Sequence, residues 1–391
     1  MKLKTAISIL GLLFVCTSVH AEPVPIPAAP KFGASSYVLM DFASGSVLVD
    51  HNSRERVEPA SITKIMTAYV VYHALKSGDV RLDDQVLVSE KAWRSIGSRT
   101  FVEVGSRVSL EDLLLGMVVQ SGNDASIALA EHIAGTEDSF TSMMNAYAER
   151  LGLEDTSFIN ATGLPAPDHY TTAYDIALLS RAMIREFPQE YQRYAQKEFT
   201  YNDIKQYNRN RLLWRDDAVD GIKTGFTQAA RYCLAASAAR KDMRLISVIM
   251  GADSPRSRMV NSQALLNYGF RHYESHKLYQ AGQVLSEQRI WKGESKLSPL
   301  GLDQDLFVVI PRGQFGDLKA VSQIPQDIVA PIAKGDQLGT VKISFRGEDI
   351  AERPLVALHA NPRGNFWRLV VDFFGNYVAK SVENASYLFS K

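Results

Sequence analysis

Three short motifs carry serine, lysine and asparagine side chains of the kind that acyl-transfer enzymes use. They are Ser61-Ile62-Thr63-Lys64, Ser121-Gly122-Asn123 and Lys223-Thr224-Gly225. Each is weak evidence alone, because short motifs of common residues also arise by chance. Together and in this order they indicate a serine nucleophile with a lysine base. The spacings of 60 and 102 residues leave room for helices after the first motif and strands before the third.

The first motif supplies the predicted nucleophile and its base. Pro59-Ala60 precedes Ser61, which is typical of a helix start, and Lys64 lies one turn further on the same face. The positive potential at a helix N-terminus favours an alkoxide and a neutral amine, and partial burial lowers the pKa of a lysine. A neutral Lys64 could therefore deprotonate Ser61. The alternative, Ser61 as a simple helix cap, does not explain the lysine.

The second motif lies between two apolar helical segments. Ser, Gly and Asn are common turn residues, so an ordinary turn is the alternative interpretation. The functional interpretation places the Ser121 hydroxyl beside Lys64 and Ser61, where it relays a proton to the leaving amine. The Asn123 side chain would then hold Lys64 or a substrate amide.

The third motif lies on a predicted strand that would line the cleft. We expect Lys223 to attract a substrate carboxylate, Thr224 to add a hydroxyl, and Gly225 to let a substrate backbone approach. Backbone amides of Ser61 and Phe226 would form a two-donor oxyanion hole. The alternative is a strand end with a solvated lysine.

Other chemistries lack their sequence patterns. Eight histidines are scattered without a His-Glu-x-x-His or Cys/His cluster, so we predict no metal site. Gly-x-Ser-x-Gly and glycine-rich phosphate loops do not occur, and we predict no cofactor. Cys233 stands in an apolar stretch and is predicted to be a core residue. The 43 basic and 43 acidic residues give zero net charge, which argues against nucleic-acid binding.

Hydrophobic periodicity predicts an α+β domain around these motifs. Two apolar segments, Ser36–Asp41 and Val47–His51, indicate a hairpin. Strands are also predicted over Val219–Thr227, Tyr232–Ala239 and Arg244–Met250. Helices are predicted over Ser61–Leu75, Leu110–Val119, Asp124–Ile133, Phe140–Leu151, Ala173–Phe187 and Arg258–Tyr268. We expect the hairpin to join the later strands in one antiparallel sheet with helices packed around it.

A small all-β domain and an amphipathic helix are predicted to follow. The expected strand segments are Gln288–Trp291, Leu306–Ile310, Ile328–Pro331, Gln337–Phe345 and Arg353–Ala360. From Asn365, aromatic and aliphatic residues recur at helical spacing, which is typical of a helix lying in a membrane interface. The alternative is a helix docked on the protein's own surface.

The N-terminal residues have the features of a secretory signal peptide. Lys2 and Lys4 precede an apolar run, Ala6–Val15, and Ala21 provides a small residue for cleavage. We predict removal of residues 1–21. A buried N-terminal helix and a lipoprotein are weaker alternatives.

Longer stretches resemble the low-molecular-mass penicillin-binding proteins that act as D-alanyl-D-alanine carboxypeptidases. The stretches are Glu58-Pro-Ala-Ser-Ile-Thr-Lys-Ile-Met-Thr67, Val119-Gln-Ser-Gly-Asn-Asp-Ala125, Asn208-Arg-Asn210 and Val219-Asp-Gly-Ile-Lys-Thr-Gly-Phe-Thr227. The motif trio itself is the known signature of β-lactamases and penicillin-binding proteins. The resemblance implies a β-lactamase/transpeptidase-like catalytic domain over residues 22–271. It also implies an all-β domain over 272–364 and an amphipathic membrane-anchor helix over 365–391.

The resemblance implies the reaction and its location as well. Peptidoglycan stem peptides would acylate Ser61 and lose their terminal D-Ala, and β-lactam antibiotics would acylate the same serine. Arg209 and Arg258 correspond by position to basic residues near the family's site. Phe226 departs from the pattern, because several relatives carry His there. The enzyme would work at the periplasmic face of the bacterial inner membrane, as a peripheral protein.

Three other functions compete with this one. A serine β-lactamase would need strong deacylation, commonly helped by a Glu in a Glu-x-x-Leu-Asn motif, which is absent. An endopeptidase acting on wall cross-links would share all three motifs, although Lys223 and Arg258 favour a substrate with a free carboxylate. A non-enzymatic wall-binding scaffold would be expected to lose Lys64 or Lys223, and both remain.

Overall fold

A computed structural model describes residues 26–372 of the chain. The predicted signal peptide and the predicted anchor helix beyond residue 372 lie outside these residues. In the first 272 residues the strands are β1 (Ser36–Asp41), β2 (Val47–His51), β3 (Gln85–Leu87), β4 (Arg107–Ser109), β5 (Glu198–Tyr201), β6 (Ile204–Tyr207), β7 (Val219–Thr227), β8 (Arg231–Arg240) and β9 (Met243–Ala252). The helices are α1 (Lys64–Ser77), α2 (Glu90–Trp93), α3 (Leu110–Leu115), α4 (Asn123–Ala134), α5 (Glu137–Arg150), α6 (Ala173–Glu186) and α7 (Pro255–His272).

One five-stranded antiparallel sheet organises this part of the chain, in the order β2-β1-β9-β8-β7. The predicted union of the N-terminal hairpin with the later strands is confirmed, with Leu39 opposite Ser247. Helix α7 packs on one face through Leu265, Leu266 and Phe270. The other face of the sheet packs against helices α1 to α6. Burial on both faces explains why the central strands are almost wholly apolar.

Side-chain caps and glycines set the helix ends. Thr136, Thr172 and Ser254 each accept a backbone N–H three residues on, which satisfies a free donor of the first turn. Gly135 ends α4 with φ +78°, a conformation that favours glycine. Four of the predicted helices are confirmed as α4, α5, α6 and α7, with ends shifted by a few residues.

Two segments near the motifs differ from the predicted helices. Ser61 lies in a 3-10 turn, Ala60–Thr63, and α1 begins only at Lys64. The segment predicted as Leu110–Val119 divides into α3 and a π-helical turn, Gly116–Gln120. The two departures occur directly before Lys64 and Ser121, which are predicted catalytic residues, and π-helical turns are frequent at functional sites.

Residues 273–357, from the start of β10 to the end of β16, form an all-β unit. Its strands are β10 (Tyr273–Tyr279), β11 (Val284–Arg289), β12 (Leu297–Gly301), β13 (Leu306–Pro311), β14 (Leu318–Gln323), β15 (Gln337–Phe345) and β16 (Glu348–Ala357). Strands β11, β12, β16, β15 and β14 form one sheet, and β10 pairs with β13. The predicted strand Ile328–Pro331 is wrong: only Val329 makes an isolated bridge, to Trp291. That segment is apolar because Ala330 packs in a small core with Ile290 and Leu300.

The first turns of the tail, residues 366–372, are helical. Asp372 is buried there and pairs with Arg289 at 3.0 Å, while its other oxygen accepts the Lys292 amide at 2.7 Å. Phe366 and Trp367 are 71% and 74% exposed. Within residues 26–372, no helix is long and apolar enough to cross a membrane.

Candidate active site

Lys64 is buried at the start of α1 and makes three contacts through its amine. Its Nζ lies 3.3 Å from Ser61 Oγ, 2.6 Å from Asn123 Oδ1 and 2.5 Å from the Thr162 carbonyl oxygen. The structure therefore brings together the first two motifs, as predicted, and adds a third segment that the sequence analysis did not identify.

These contacts fix the direction of the lysine lone pair. A neutral amine has two N–H bonds, and the oxygens of Asn123 and Thr162 can accept both. The lone pair then faces the third neighbour, Ser61 Oγ. Burial lowers the pKa of Lys64 to about 7, against opposing effects of Asp124 and Glu137. The amine is thus substantially neutral near neutral pH and can accept the serine proton.

Ser121 lies between the π-helical turn and α4 with φ +69°. This left-handed conformation is uncommon for serine and turns the side chain into the cleft. Its Oγ is buried and has no hydrogen-bond partner among residues 26–372, and no bond to Lys64 forms. A buried hydroxyl without a partner costs free energy, so this group is available to a ligand or proton in the cleft.

Strand β7 carries the third motif along one edge of the sheet. Its one neighbour among the described strands is β8, so its other edge has no strand partner there. Thr224 lines the cleft, and Lys223 is buried beside it with Nζ 3.1 Å from the Thr224 carbonyl. Burial, with the charges of Lys64, Arg209 and Arg258, lowers the pKa of Lys223 well below its usual range. A substrate carboxylate would supply the missing counter-charge.

Gly225 packs closely against the turn that carries Ser61. A Cβ there would lie 3.1 Å from the Cβ of Ala60 and 3.3 Å from the Ile62 amide. In the structure, the group that comes close to Gly225 is therefore the turn that carries Ser61. The predicted approach of a substrate backbone at this position stays a prediction.

The two predicted arginines border the same cleft. Arg258 donates to the carbonyls of Gly225 at 2.9 Å and Cys233 at 3.3 Å, and burial lowers its pKa to about 10. Arg209 donates to the Gln120 carbonyl at 3.0 Å. Phe226 is 47% exposed, and its ring centroid lies 4.5 Å from that of Tyr232. The cleft thus has a basic end with an aromatic wall.

A cavity of about 480 Å³ lies among these groups, although Lys64 and Lys223 are not part of its lining. It is lined by residues of all three motifs, by Arg209 and Arg258, and by the segments at Gly97 and Gly163. A larger cavity of about 840 Å³ lies between the β8–β9 turn, the end of α7 and β10, where none of the three motifs contributes. The smaller cavity is therefore the candidate active site.

The sequence analysis did not identify two groups that position Lys64 and Asn123, namely the Thr162 carbonyl and the Asp124 carboxylate. The Thr162 carbonyl is a backbone group, so its residue type gives no indication of its role. Asp124 is fully buried and accepts the amides of Thr100, Phe101 and Ala125 at 2.8–2.9 Å. It thereby fixes the segment whose Ile96 and Ser98 carbonyls bind Asn123. The sequence indicates this role of Asp124 through its position, since it is an acidic residue directly after the second motif.

Comparison with known proteins shows what this chain is similar to. A family model described as D-alanyl-D-alanine carboxypeptidase matches residues 24–254, and one described as Penicillin-binding protein 5, C-terminal domain, matches residues 273–363. The chain is 43% identical over 369 residues to D-alanyl-D-alanine carboxypeptidase DacC of Escherichia coli (strain K12), covering 92% of each.

A solved structure extends the likeness to the fold. Penicillin binding protein 5 from Haemophilus influenzae superposes with a TM-score of 0.83 at 42% identity, covering 86% of this chain and 100% of that one. A D-alanyl-D-alanine endopeptidase of Pseudomonas aeruginosa is 32% identical over 247 residues, covering 60% of this chain and 77% of that protein. The match to the carboxypeptidases is thus both higher in identity and wider in coverage.

Proposed function

The chain belongs to the D-alanyl-D-alanine carboxypeptidase family, and we propose that Ser61, Lys64 and Ser121 perform the hydrolysis in its cleft. The protein is a serine-type D-alanyl-D-alanine carboxypeptidase and a penicillin-binding protein. The observation that supports the residue assignment most directly is the buried amine of Lys64, 3.3 Å from Ser61 Oγ and held by two other acceptors.

Acylation begins with proton transfer from Ser61 Oγ to the neutral Lys64. The serine oxygen then bonds to the carbonyl carbon of the penultimate D-Ala, and the oxyanion is stabilised by the amides of Ser61 and Phe226. Ser121 passes the proton to the departing amine as the C–N bond breaks. The products of this step are free D-Ala and an ester on Ser61.

Deacylation reverses the roles with water as the nucleophile. Lys64 takes a proton from water, the resulting hydroxide attacks the ester carbonyl, and the proton returns to Ser61 Oγ. The peptide leaves with a new carboxylate, and the serine hydroxyl is restored.

Substrate selection follows from the open edge of β7 and the charges beside it. An extended stem peptide would pair with the edge through its backbone. Its terminal carboxylate would lie near Lys223, Thr224 and Arg258, which explains the preference for a free C-terminus. Asn123 is occupied by Lys64 and the Ile96 carbonyl, so its role is to orient the base.

The substrate class and location complete the proposal. The substrates are peptidoglycan stem pentapeptides, and β-lactams inhibit by acylating Ser61. The protein is exported through its predicted signal peptide. It rests on the periplasmic face of the inner membrane through the tail helix, whose described turns expose Phe366 and Trp367.

Diacetyl-Lys-D-Ala-D-Ala tests the proposal as a substrate. The purified mature protein should release one D-Ala per peptide, and prior treatment with a penicillin should stop the release. Cleavage confined to cross-linked dimeric muropeptides would indicate an endopeptidase instead. Rapid turnover of the penicillin would indicate a β-lactamase.

A further inference from the structure

A loop opposite the nucleophile turn holds the Thr162 carbonyl against Lys64. Asn160 shapes it, because its Oδ1 accepts the Thr162 amide at 3.1 Å, the Thr162 hydroxyl at 2.8 Å and the Gly163 amide at 2.7 Å. Gly163 packs so closely on the nucleophile turn that a Cβ would overlap the Ala60 carbonyl oxygen. The loop and the turn are therefore in direct contact.

The buried side chain of His169 links this loop to Thr63 of the first motif. With Asn160 Oδ1 engaged as an acceptor, its Nδ2 faces His169 Nδ1 at 3.3 Å and the Leu164 carbonyl at 2.9 Å. Nδ1 is then the acceptor, so the proton is on Nε2, which lies 3.1 Å from Thr63 Oγ1. Burial lowers the pKa of His169 to about 4, which agrees with this neutral tautomer.

We propose that Asn160 and His169 are positioning residues that hold the Thr162 carbonyl at Lys64 by tying their loop to Thr63. The chain of contacts runs from Thr63 through His169 and Asn160 to Thr162, and returns to Lys64, the neighbour of Thr63. Its effect is to keep both amine N–H bonds engaged, so that the lone pair faces Ser61. This inference depends on the proposed role of Lys64 as the base.

Replacement of Thr63 tests the connection with a matched pair. Thr63→Val keeps the buried volume and removes the hydroxyl, whereas Thr63→Ser keeps the hydroxyl. Since small misplacements of catalytic groups cost up to about 100-fold, we expect kcat for D-Ala release to fall roughly 10- to 100-fold in the valine variant. KM should stay within about twofold, and the serine variant within about threefold of the unmodified enzyme.

The pH profile separates positioning from a general loss of structure. A carbonyl oxygen stabilises the ammonium form more than the amine, so a looser Thr162 contact lowers the pKa of Lys64. The valine variant should therefore show a lower plateau and an ascending limb at lower pH. The charged and titratable groups that influence Lys64, namely Asp124, Glu137, Arg209 and Lys223, are unchanged in both variants. Lost structure alone would lower the plateau without moving the limb.

A second variant shows whether Thr63 and His169 act through one bond. His169→Phe removes both ring nitrogens, and the double variant with Thr63→Val should be no slower than His169→Phe alone. Rates are expressed per penicillin-titrated site. Equal activity of the valine and unmodified enzymes, or multiplying effects in the double variant, overturns the inference. Failure of the unmodified enzyme to release D-Ala would instead refute the proposed function.

Discussion

At the scale of single residues, the chemistry depends on where one proton can go. A serine is a poor nucleophile until a base accepts its proton, and we propose Lys64 as the base for Ser61 because burial favours its neutral amine. The amino-acid sequence predicted this pair, together with Ser121 and Lys223, from residue types and spacing. It could not predict the Thr162 carbonyl, because a backbone acceptor leaves no mark in residue type.

The titration of Lys64 predicts how acylation responds to pH. Only the neutral amine accepts the serine proton, so activity falls as the pH falls through the pKa of about 7. Below that value we expect kcat/KM for D-Ala release to rise about tenfold per pH unit, and to level off above it. Stopped assays between pH 5 and 8.5 measure this, and a flat profile contradicts the role of Lys64 as base.

Replacement of Lys223 tests recognition of the carboxylate. Charge-assisted hydrogen bonds contribute about 1.5–3 kcal/mol, so Lys223→Ala should raise KM for the free-acid peptide roughly 10- to 100-fold. Lys205→Ala, on the β5–β6 hairpin, is the matched control and should leave KM unchanged. The C-terminal amide of the same peptide serves as a competitive inhibitor, and Lys223→Ala should weaken its binding about twofold at most. An equal loss for acid and amide argues against carboxylate binding.

At the scale of elements, the predicted architecture holds where apolar residues are concentrated. The central sheet and its helices were identified because their residues face a common core. Strands β10 and β14 escaped prediction because neither has a buried apolar face, and β14 is exposed along most of its length. The β5–β6 hairpin was missed although Asn202 and Asp203, both at positive φ, form a turn typical of hairpins.

We predict that the buried carboxylate of Asp124 stabilises the folded protein. Its loss frees the amides of the segment at Thr100, so Asp124→Asn should lower the free energy of unfolding by about 2–4 kcal/mol. Asp138→Asn, an exposed acid in the first turn of α5, should change it by less than about 0.5 kcal/mol. Urea titration gives both values, and equal stability of the two variants refutes the structural role.

At the scale of the whole molecule, the catalytic and all-β parts meet without an intervening linker. Strand β10 begins at Tyr273, the residue after α7, and Arg312 donates to the carbonyls of Phe270 and Tyr273 at 3.0 Å. Ser275 Oγ also lies 3.4 Å from Asp41 of β1. The start of the tail contacts the all-β part through Asp372, which pairs with Arg289 of β11.

The exposed side chains of Phe366 and Trp367 lead us to predict that the tail attaches the protein to a membrane. Burying such a side chain contributes about 1.5–3 kcal/mol, so Phe366→Ser with Trp367→Ser should weaken binding to anionic vesicles at least tenfold. Phe315→Ser, an exposed aromatic outside the tail, is the control. Deleting residues 365–391 should release the protein and preserve its soluble activity. Undiminished sedimentation of either tail variant with the vesicles would refute the anchor.

The most direct test of the account is intact-protein and peptide mass spectrometry after treatment with a penicillin. The account predicts one penicilloyl adduct per molecule, located on the peptide that contains Ser61, and none in Ser61→Ala. Undiminished labelling of Ser61→Ala, or an adduct on another residue of the unmodified enzyme, would contradict the assignment of Ser61 as the nucleophile.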